Sequence, residues 1–277
     1  MRDQRIIASG YGVIRVRWKG LNLTTEEQKA RYWRAFERLR TSWYSLAEKR
    51  ISRRFGDELA AVKAGLGRAR TARDAEELAI GTVRAQRAEW ETLFKVFYLA
   101  VGEDFAPRVR ESLTSSKAMK QDDQWQRYLL DWISANAAEK AAPISDTTRQ
   151  ALTDAIAEGA AQGESIDDIA ARIGDVYQGY IDGARAVTIA RTEVVSASNA
   201  ASVSVARSTG IDLQKVWLAT RDARVRDTHL MADGQRVGMD EPFSVGGYEL
   251  MWPGDGSMGA PASELVRCRC TVTYIVL

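Results

Sequence analysis

Cysteine and histidine are scarce in this 277-residue sequence, which contains two cysteines and one histidine. So long a chain with so few cysteines is not a disulfide-stapled mini-protein. No stretch approaches roughly 18 consecutive apolar residues, and the first residues lead into only a short apolar run, so neither a membrane span nor a secretory signal is predicted. We expect a soluble chain that folds unprocessed in a cytoplasm.

Known catalytic motifs are missing as well. The sequence has no G-x-S-x-G elbow, P-loop glycine pattern, H-E-x-x-H or paired-carboxylate signature. A nucleophilic Cys–His pair would have to use His229, the single histidine, and no supporting motif accompanies it. The sequence therefore predicts a protein that is not an enzyme.

Charge is distributed unevenly along the chain, although the composition, 45% apolar and 27% charged, is that of a globular protein of about two domains. Residues 1–140 hold 27 Lys and Arg against 19 Asp and Glu, net +8, whereas residues 141–277 hold 12 against 18, net −6. The basic half is suited to nucleic acid or to an acidic protein surface, and equally to the acidic half of the same chain.

The first half is predicted to be helical after a short β-like arm over residues 5–18. A capping box at Thr24 and Glu27 starts the first helix, because hydroxyl and carboxylate there satisfy each other's backbone N–H groups. Helices are predicted from residue 24 to about residue 55 or beyond, and over residues 72–101 and 122–140. Three-to-four spacing predicts that the buried stripe of the first helix comprises Phe36, Leu39, Trp43, Leu46, Arg50 and Ile51.

A domain boundary is predicted at Pro143, which disfavours helix at the residue before it, while Ser145 is a good N-cap for a new helix. The chain divides into a basic helical region, 1–142, and an acidic α+β domain, 143–277. The second is expected to contain helices over residues 146–162, 165–176 and 183–207, a helical turn over 226–231, and strands over 215–219 and 268–276, joined by a long irregular loop rich in Gly, Pro and Asp. The fold class is mainly α with a smaller α+β C-terminal domain.

The two cysteines form a C-x-C pair. On a strand, Cys268 and Cys270 would present both sulfurs on one face, which suits two ligands of one metal better than a disulfide. With His229 and a carboxylate such as Asp227 or Asp233, they would form a four-coordinate zinc site. Because the usual C-x₂-C knuckle is absent, two alternatives stay open: a zinc site, or small buried thiols beside a structural histidine. No cofactor other than zinc is indicated.

Charged residues gather in the same part of the chain. The sequence predicts a buried salt-bridge network that fixes helix to strand, in which every charge needs a partner. Its members are Arg191, Glu193, Asp222, Arg224, Arg226 and Arg269.

The first helix alternates basic and aromatic residues. Guanidinium groups on its solvated face could neutralise phosphates or meet an acidic protein, and the candidates are Arg31, Arg34, Arg38, Arg53 and Arg54. The alternative is an ordinary surface helix with core tryptophans. Trp33, Phe36 and Trp43 at helical spacing favour a helix–helix contact with a protein partner over DNA.

The order of these features resembles a known family, the phage Mu F-like head morphogenesis domain of tailed-phage minor head proteins. The residues that carry the resemblance are, in order, A-R-T-E at 190–193, Trp217, D-A-R-V-R-D-T-H at 222–229, D-G-Q at 233–235, P-G-D at 253–255 and C-R-C at 268–270. The resemblance covers about residues 146–274, whereas the first 140 residues match only in being helical.

The resemblance implies a virion protein present in few copies, at or near the portal in the capsid interior, acting in head assembly and genome packaging or delivery. The implied partners are the portal, scaffold or major capsid protein and phage DNA bound without sequence specificity, with no membrane, and the protein would occupy the host cytoplasm during assembly. In relatives with toxin activity the toxin is an additional domain after the C-R-C segment, and the sequence ends at Leu277, so none is expected here. The competing class is a metal-dependent nuclease or hydrolase centred on His229, Cys268 and Cys270.

Overall fold

The computed structural model describes residues 21–113 and 124–277, in which long helices come first and short strands come after them. The helices are α1 (Glu26–Leu66), α2 (Ala72–Ala85), α3 (Arg87–Leu113), α4 (Gln124–Ala161), α5 (Ile166–Ile181), α6 (Ala184–Ser208), α7 (Asp227–Met231) and α8 (Ala262–Leu265). The strands are β1 (Leu213–Leu218), β2 (Arg236–Gly238), β3 (Phe243–Val245), β4 (Tyr248–Leu250) and β5 (Thr271–Val276). The predicted fold class is confirmed. The predicted arm over residues 5–18 lies outside the described residues.

Helix α1 begins one residue later than the predicted capping box. Thr25 is the N-cap: its hydroxyl accepts from the Gln28 N–H, and the Gln28 side chain accepts from the Thr25 N–H. The helix continues beyond residue 55, as the prediction allowed, and ends at Leu66. Leu46 is 39% exposed, so its place on the buried stripe was wrong, and Ala47, one residue further on, faces the core instead.

Two predicted helix limits were wrong. The single helix expected over residues 72–101 is two helices, because the chain turns at Gln86, the C-cap of α2. The break expected at Pro143 does not occur, and that proline lies inside α4. A proline within a helix costs about 3 kcal/mol, but Ala141 and Ile144 on either side of it are buried in the core, and this packing offsets the cost. The division into domains 1–142 and 143–277 stays a prediction.

Helix α6 occupies the centre of the molecule. Residues 193–206 are all buried, and they are mostly Ala, Ser and Val, so neighbouring elements approach the helix closely from several sides. Helices α1, α3 and α4 pack against it, and β5 contacts it as well. Both halves of the sequence therefore contribute to one continuous apolar core.

Two small antiparallel sheets complete the C-terminal part. The first has the order β2-β1-β5, with Lys215 opposite Tyr274 and Trp217 opposite Val272, and the second is the β3-β4 hairpin. The long loop between α7 and β5 was predicted to be irregular, but it contains β2, β3, β4 and α8. The prediction was wrong because strands of three residues leave little periodicity to detect. Within the described residues, no helix has the length and apolar character to cross a bilayer.

Candidate functional site

The structure brings His229, Cys268 and Cys270 together in the core. His229 lies on α7, and both cysteines lie in the segment between α8 and β5. The distance from His229 Nδ1 is 3.5 Å to Cys268 Sγ and 3.4 Å to Cys270 Sγ. All three ligand atoms lie within 4.8 Å of one another, and the residues are 1–2% exposed. The three ligand atoms therefore lie close together at a position that is buried from solvent.

The cysteines reach this point from just before the terminal strand, which starts at Thr271 rather than at residue 268 as predicted. Burial nevertheless alternates there: Cys268 and Cys270 are buried, and the side chain of Arg269 between them pairs with Asp222. The Cys270 N–H also donates to Cys268 Sγ at 3.4 Å.

A carboxylate fixes the far side of the imidazole. His229 Nε2 is 3.0 Å from Glu264 Oε2, which also accepts the Thr228 hydroxyl at 2.9 Å. Because an ionised carboxylate only accepts, Nε2 carries a hydrogen, and Nδ1 faces the two sulfurs. The Trp217 ring lies nearly perpendicular to the imidazole with centroids 5.5 Å apart, and both residues are buried.

The two thiols titrate unequally. The hydrogen bond with Cys270, together with burial, raises the pKa of Cys268 well above its ordinary value. Burial also raises the pKa of Cys270, but the interactions with Cys268 and His229 outweigh it and lower that pKa well below the ordinary value. The two sulfurs therefore do not titrate independently.

Neither carboxylate expected from sequence joins the group. Asp233 accepts the Ala219 N–H at 2.8 Å and Arg221 at 2.9 Å, so both of its oxygens are occupied. Asp227 is exposed at the start of α7. The Thr220 hydroxyl, 3.7 Å from Cys270 Sγ, borders the group instead.

The expected charge network is divided in two. Asp222 pairs with Arg269, which holds the pKa of that aspartate below its usual value. The Arg224 guanidinium lies 3.7 Å from the Asp222 carboxylate, and the Arg224 side chain is 79% exposed. This ion pair therefore adds little stability. Arg226 donates to the Val266 carbonyl instead of a carboxylate.

Arg191 and Glu193, the other two predicted members of that network, do not pair with Asp222. They point to different faces of α6, because they are two positions apart on a helix. Glu193 is buried, accepting from the Tyr98 hydroxyl at 2.8 Å and pairing with Lys140 at 3.1 Å. Arg191 is exposed, with its guanidinium 5.7 Å from the centre of the Tyr44 ring.

Arg40 was not identified from the sequence. The available signal was its helical spacing from Phe36 and Ala47, which places a charged side chain on the buried face of α1. Arg40 is fully buried and donates to Ser198 Oγ at 2.8 Å and to Asn199 Oδ1 at 3.0 Å, both on α6. It also donates to the carbonyls of Arg269 and Cys270 at 3.1 and 3.2 Å. One side chain of α1 thus holds the backbone of the C-R-C segment. No local pattern marked Glu264.

The P-G-D loop, residues 253–255, packs closely against α6. Gly254 has φ +86°, and its Cα faces Ser196 so closely that an added Cβ would lie 3.2 Å from the Ser196 Cα. Asp255 is buried and accepts the Met251 and Ser257 N–H groups. Asn199 donates to the Pro253 carbonyl at 2.8 Å, which ties the loop to the helix.

Most of the predicted contact residues of the first helix are exposed. Arg31, Arg34, Arg38 and Arg53 are exposed, whereas the Arg54 side chain is only 11% exposed and donates to Gln86, so its surface role was wrong. With Lys49, the four exposed arginines follow helical spacing along one face for about 33 Å. We call Arg31, Arg34, Arg38, Lys49 and Arg53 the basic stripe.

Comparison with known proteins finds a matching family for the C-terminal part of the chain. Residues 149–273 match the family described as Phage Mu protein F like protein. This region belongs to the Mu F-like family. The match confirms the resemblance expected for about residues 146–274, and the Mu F-like region contains the His229 group and the P-G-D loop. Arg40, which holds its C-R-C segment, lies outside it.

Curated relatives match in part. The chain is 35% identical over 126 residues to minor head protein GP7 of Bacillus phage SPP1, covering 44% of this chain and 39% of that protein. It is 32% identical over 157 residues to the NAD(+)–arginine ADP-ribosyltransferase EFV of Enterococcus faecalis, covering 54% of this chain and 31% of that protein. It is 30% identical over 152 residues to YqbB of Bacillus subtilis, covering 53% of this chain and 48% of that protein. The chain thus spans between about a third and a half of these relatives. No solved structure matches it.

Proposed function

We propose that this chain is a minor head protein of a tailed phage or prophage, which binds the portal inside the capsid and acts in head assembly and genome packaging or delivery. The Mu F-like region carries the proposal, and the similarity to minor head protein GP7 supports it. Within that region, Asp255 accepts the Met251 and Ser257 N–H groups, and Asp222 pairs with Arg269 across two segments. Signature residues that build a fold support a structural role.

Burial also supports a role without catalysis. His229, Cys268 and Cys270 are 1–2% exposed, so a substrate could not reach the sulfurs without opening the domain. A catalytic metal site keeps one coordination position open to substrate or water. The metal-dependent nuclease or hydrolase is therefore the weaker alternative.

The basic stripe is the surface that we assign to DNA. Trp33, Phe36 and Trp43, which favoured a protein partner, are buried in this chain's own core, so they do not form an exposed contact surface. What remains exposed is cationic and polar, and such a surface neutralises phosphates without reading bases. The portal is then bound by another part of the chain.

A pull-down tests the portal contact. The tagged full chain, co-expressed with the portal protein of the same phage or prophage, should retain that portal equally with and without nuclease treatment. The portal of an unrelated phage is the control and should not be retained. Loss of the cognate portal in both arms contradicts the proposal, and loss only after nuclease treatment contradicts a direct contact.

A further inference from the structure

We propose that His229 Nδ1, Cys268 Sγ and Cys270 Sγ bind one zinc ion, which fastens α7 to the segment that leads into β5. Thiolate and imidazole are the ligands that zinc prefers, and these three come from two segments distant in sequence. Helix α7 has five residues, too few to be stable without tertiary support.

The distances agree with a tetrahedral ion. With Zn–S near 2.3 Å and Zn–N near 2.0–2.1 Å, a tetrahedral angle separates sulfur from nitrogen by about 3.6 Å. His229 Nδ1 lies 3.5 and 3.4 Å from the two sulfurs, which is close to that edge for both cysteines at once.

Hydrogen bonding alone explains the group less well. An imidazole nitrogen has either one N–H or one lone pair, in the plane of the ring, so Nδ1 can serve one sulfur well but not two. It is nevertheless almost equidistant from both. One cation placed between the three atoms satisfies all of them.

The surroundings are those of a structural site. Glu264 accepts from His229 Nε2 at 3.0 Å, and a carboxylate there orients the ring and raises the basicity of a metal-binding nitrogen. The ligands are buried, so the ion would be enclosed. We assign the fourth position to an oxygen on the Cys270 side, where the Thr220 hydroxyl lies 3.7 Å from the sulfur.

Metal content is the first test. The full chain, purified without chelator, should carry about one zinc per chain by elemental analysis, and stripping the zinc should lower its melting temperature. Replacement with Co²⁺ should give a thiolate-to-cobalt charge-transfer band and the strong visible absorption of a tetrahedral ion. A folded chain with well under one equivalent of zinc, or a cobalt complex without the thiolate band, overturns the proposal.

Variants locate the ion. Cys268→Ala with Cys270→Ala should abolish zinc binding, and unchanged zinc in that variant contradicts the assignment. Glu264→Gln keeps all three ligands and should weaken zinc affinity roughly 10- to 100-fold, as loss of an outer carboxylate does. The matched control is Glu249→Gln, an exposed position of the same region, which should leave affinity unchanged. If the double variant does not fold, the cobalt spectrum of the unaltered chain decides.

Discussion

Buried charged side chains connect distant parts of this chain at single residues. Arg40 links α1 to α6 and the C-R-C segment, Glu193 links α6 to Lys140 of α4, and Lys215 of β1 donates to the Met251 carbonyl at 2.9 Å. A buried charge is tolerated only where its partners are in place. We infer that these residues select one packing of the helices among the many that an Ala-rich core would allow.

Loss of Arg40 tests this inference. Arg40→Met should lower the free energy of unfolding by on the order of 3–5 kcal/mol, because Ser198, Asn199 and two carbonyls lose a buried donor. Arg38→Met, two residues away and exposed, should change it by less than about 0.5 kcal/mol. Urea denaturation measures both, and similar losses would show that the Arg40 contacts contribute little.

Lys215 should make stability depend on pH. Burial, with Arg207 nearby, lowers its pKa from 10.5 to about 8. Since the folded pKa lies below the unfolded one, the cost of burying the ammonium is fully present below about pH 8 and disappears as pH rises toward 10.5. The stability of the unaltered chain should therefore rise, relative to Lys215→Met, between about pH 7 and about pH 9.5, by on the order of 2 kcal/mol. A constant difference in denaturation experiments would show an ordinary pKa.

At the scale of elements, the P-G-D loop and the segment after it offer a matched pair of substitutions. Gly254 and Gly259 have φ +86° and +81°, so alanine is strained at both, by about 1–2 kcal/mol. A Cβ at Gly254 would also press on the α6 backbone at Ser196, whereas nothing lies within 4 Å at Gly259. Gly254→Ala should therefore destabilise by on the order of 1–3 kcal/mol more than Gly259→Ala in thermal melts. Equal effects would mean that the loop can move away from the helix.

The sequence pattern predicted those elements whose formation depends on residues close together in the chain. Ser165 caps α5, and the long α6 lies within one residue of its predicted limits, because caps and periodicity act over a few residues. Pro143 misled because tertiary packing on both sides of it outweighed its local preference. The C-x-C spacing with a single histidine indicated three of the site residues. Glu264 could not be predicted, because it reaches His229 only through the turns after β4.

For the whole molecule, the charge asymmetry of the sequence is used in two ways. Part of it is internal, because Lys140 of the basic half pairs with Glu193 of the acidic half. Among the described residues, the basic stripe has no such partner along most of its length. Arg31 contacts Glu27 at 3.2 Å with both side chains exposed, which is a weak and screened pair. The surplus positive charge on α1 is therefore available to a polyanion.

A salt titration decides what that stripe meets. If it binds the DNA backbone, the full chain should bind duplex DNA without sequence preference, and log K should fall with log salt at a slope of about −0.9 per phosphate neutralised. Arg34→Glu with Arg38→Glu should flatten that slope by about two such contacts. The matched control, Arg73→Glu with Arg84→Glu, reverses two exposed arginines on α2, outside the stripe, and should leave the slope nearly unchanged. Negligible DNA affinity near physiological salt, with portal association that weakens as salt rises, would instead assign the stripe to an acidic protein surface.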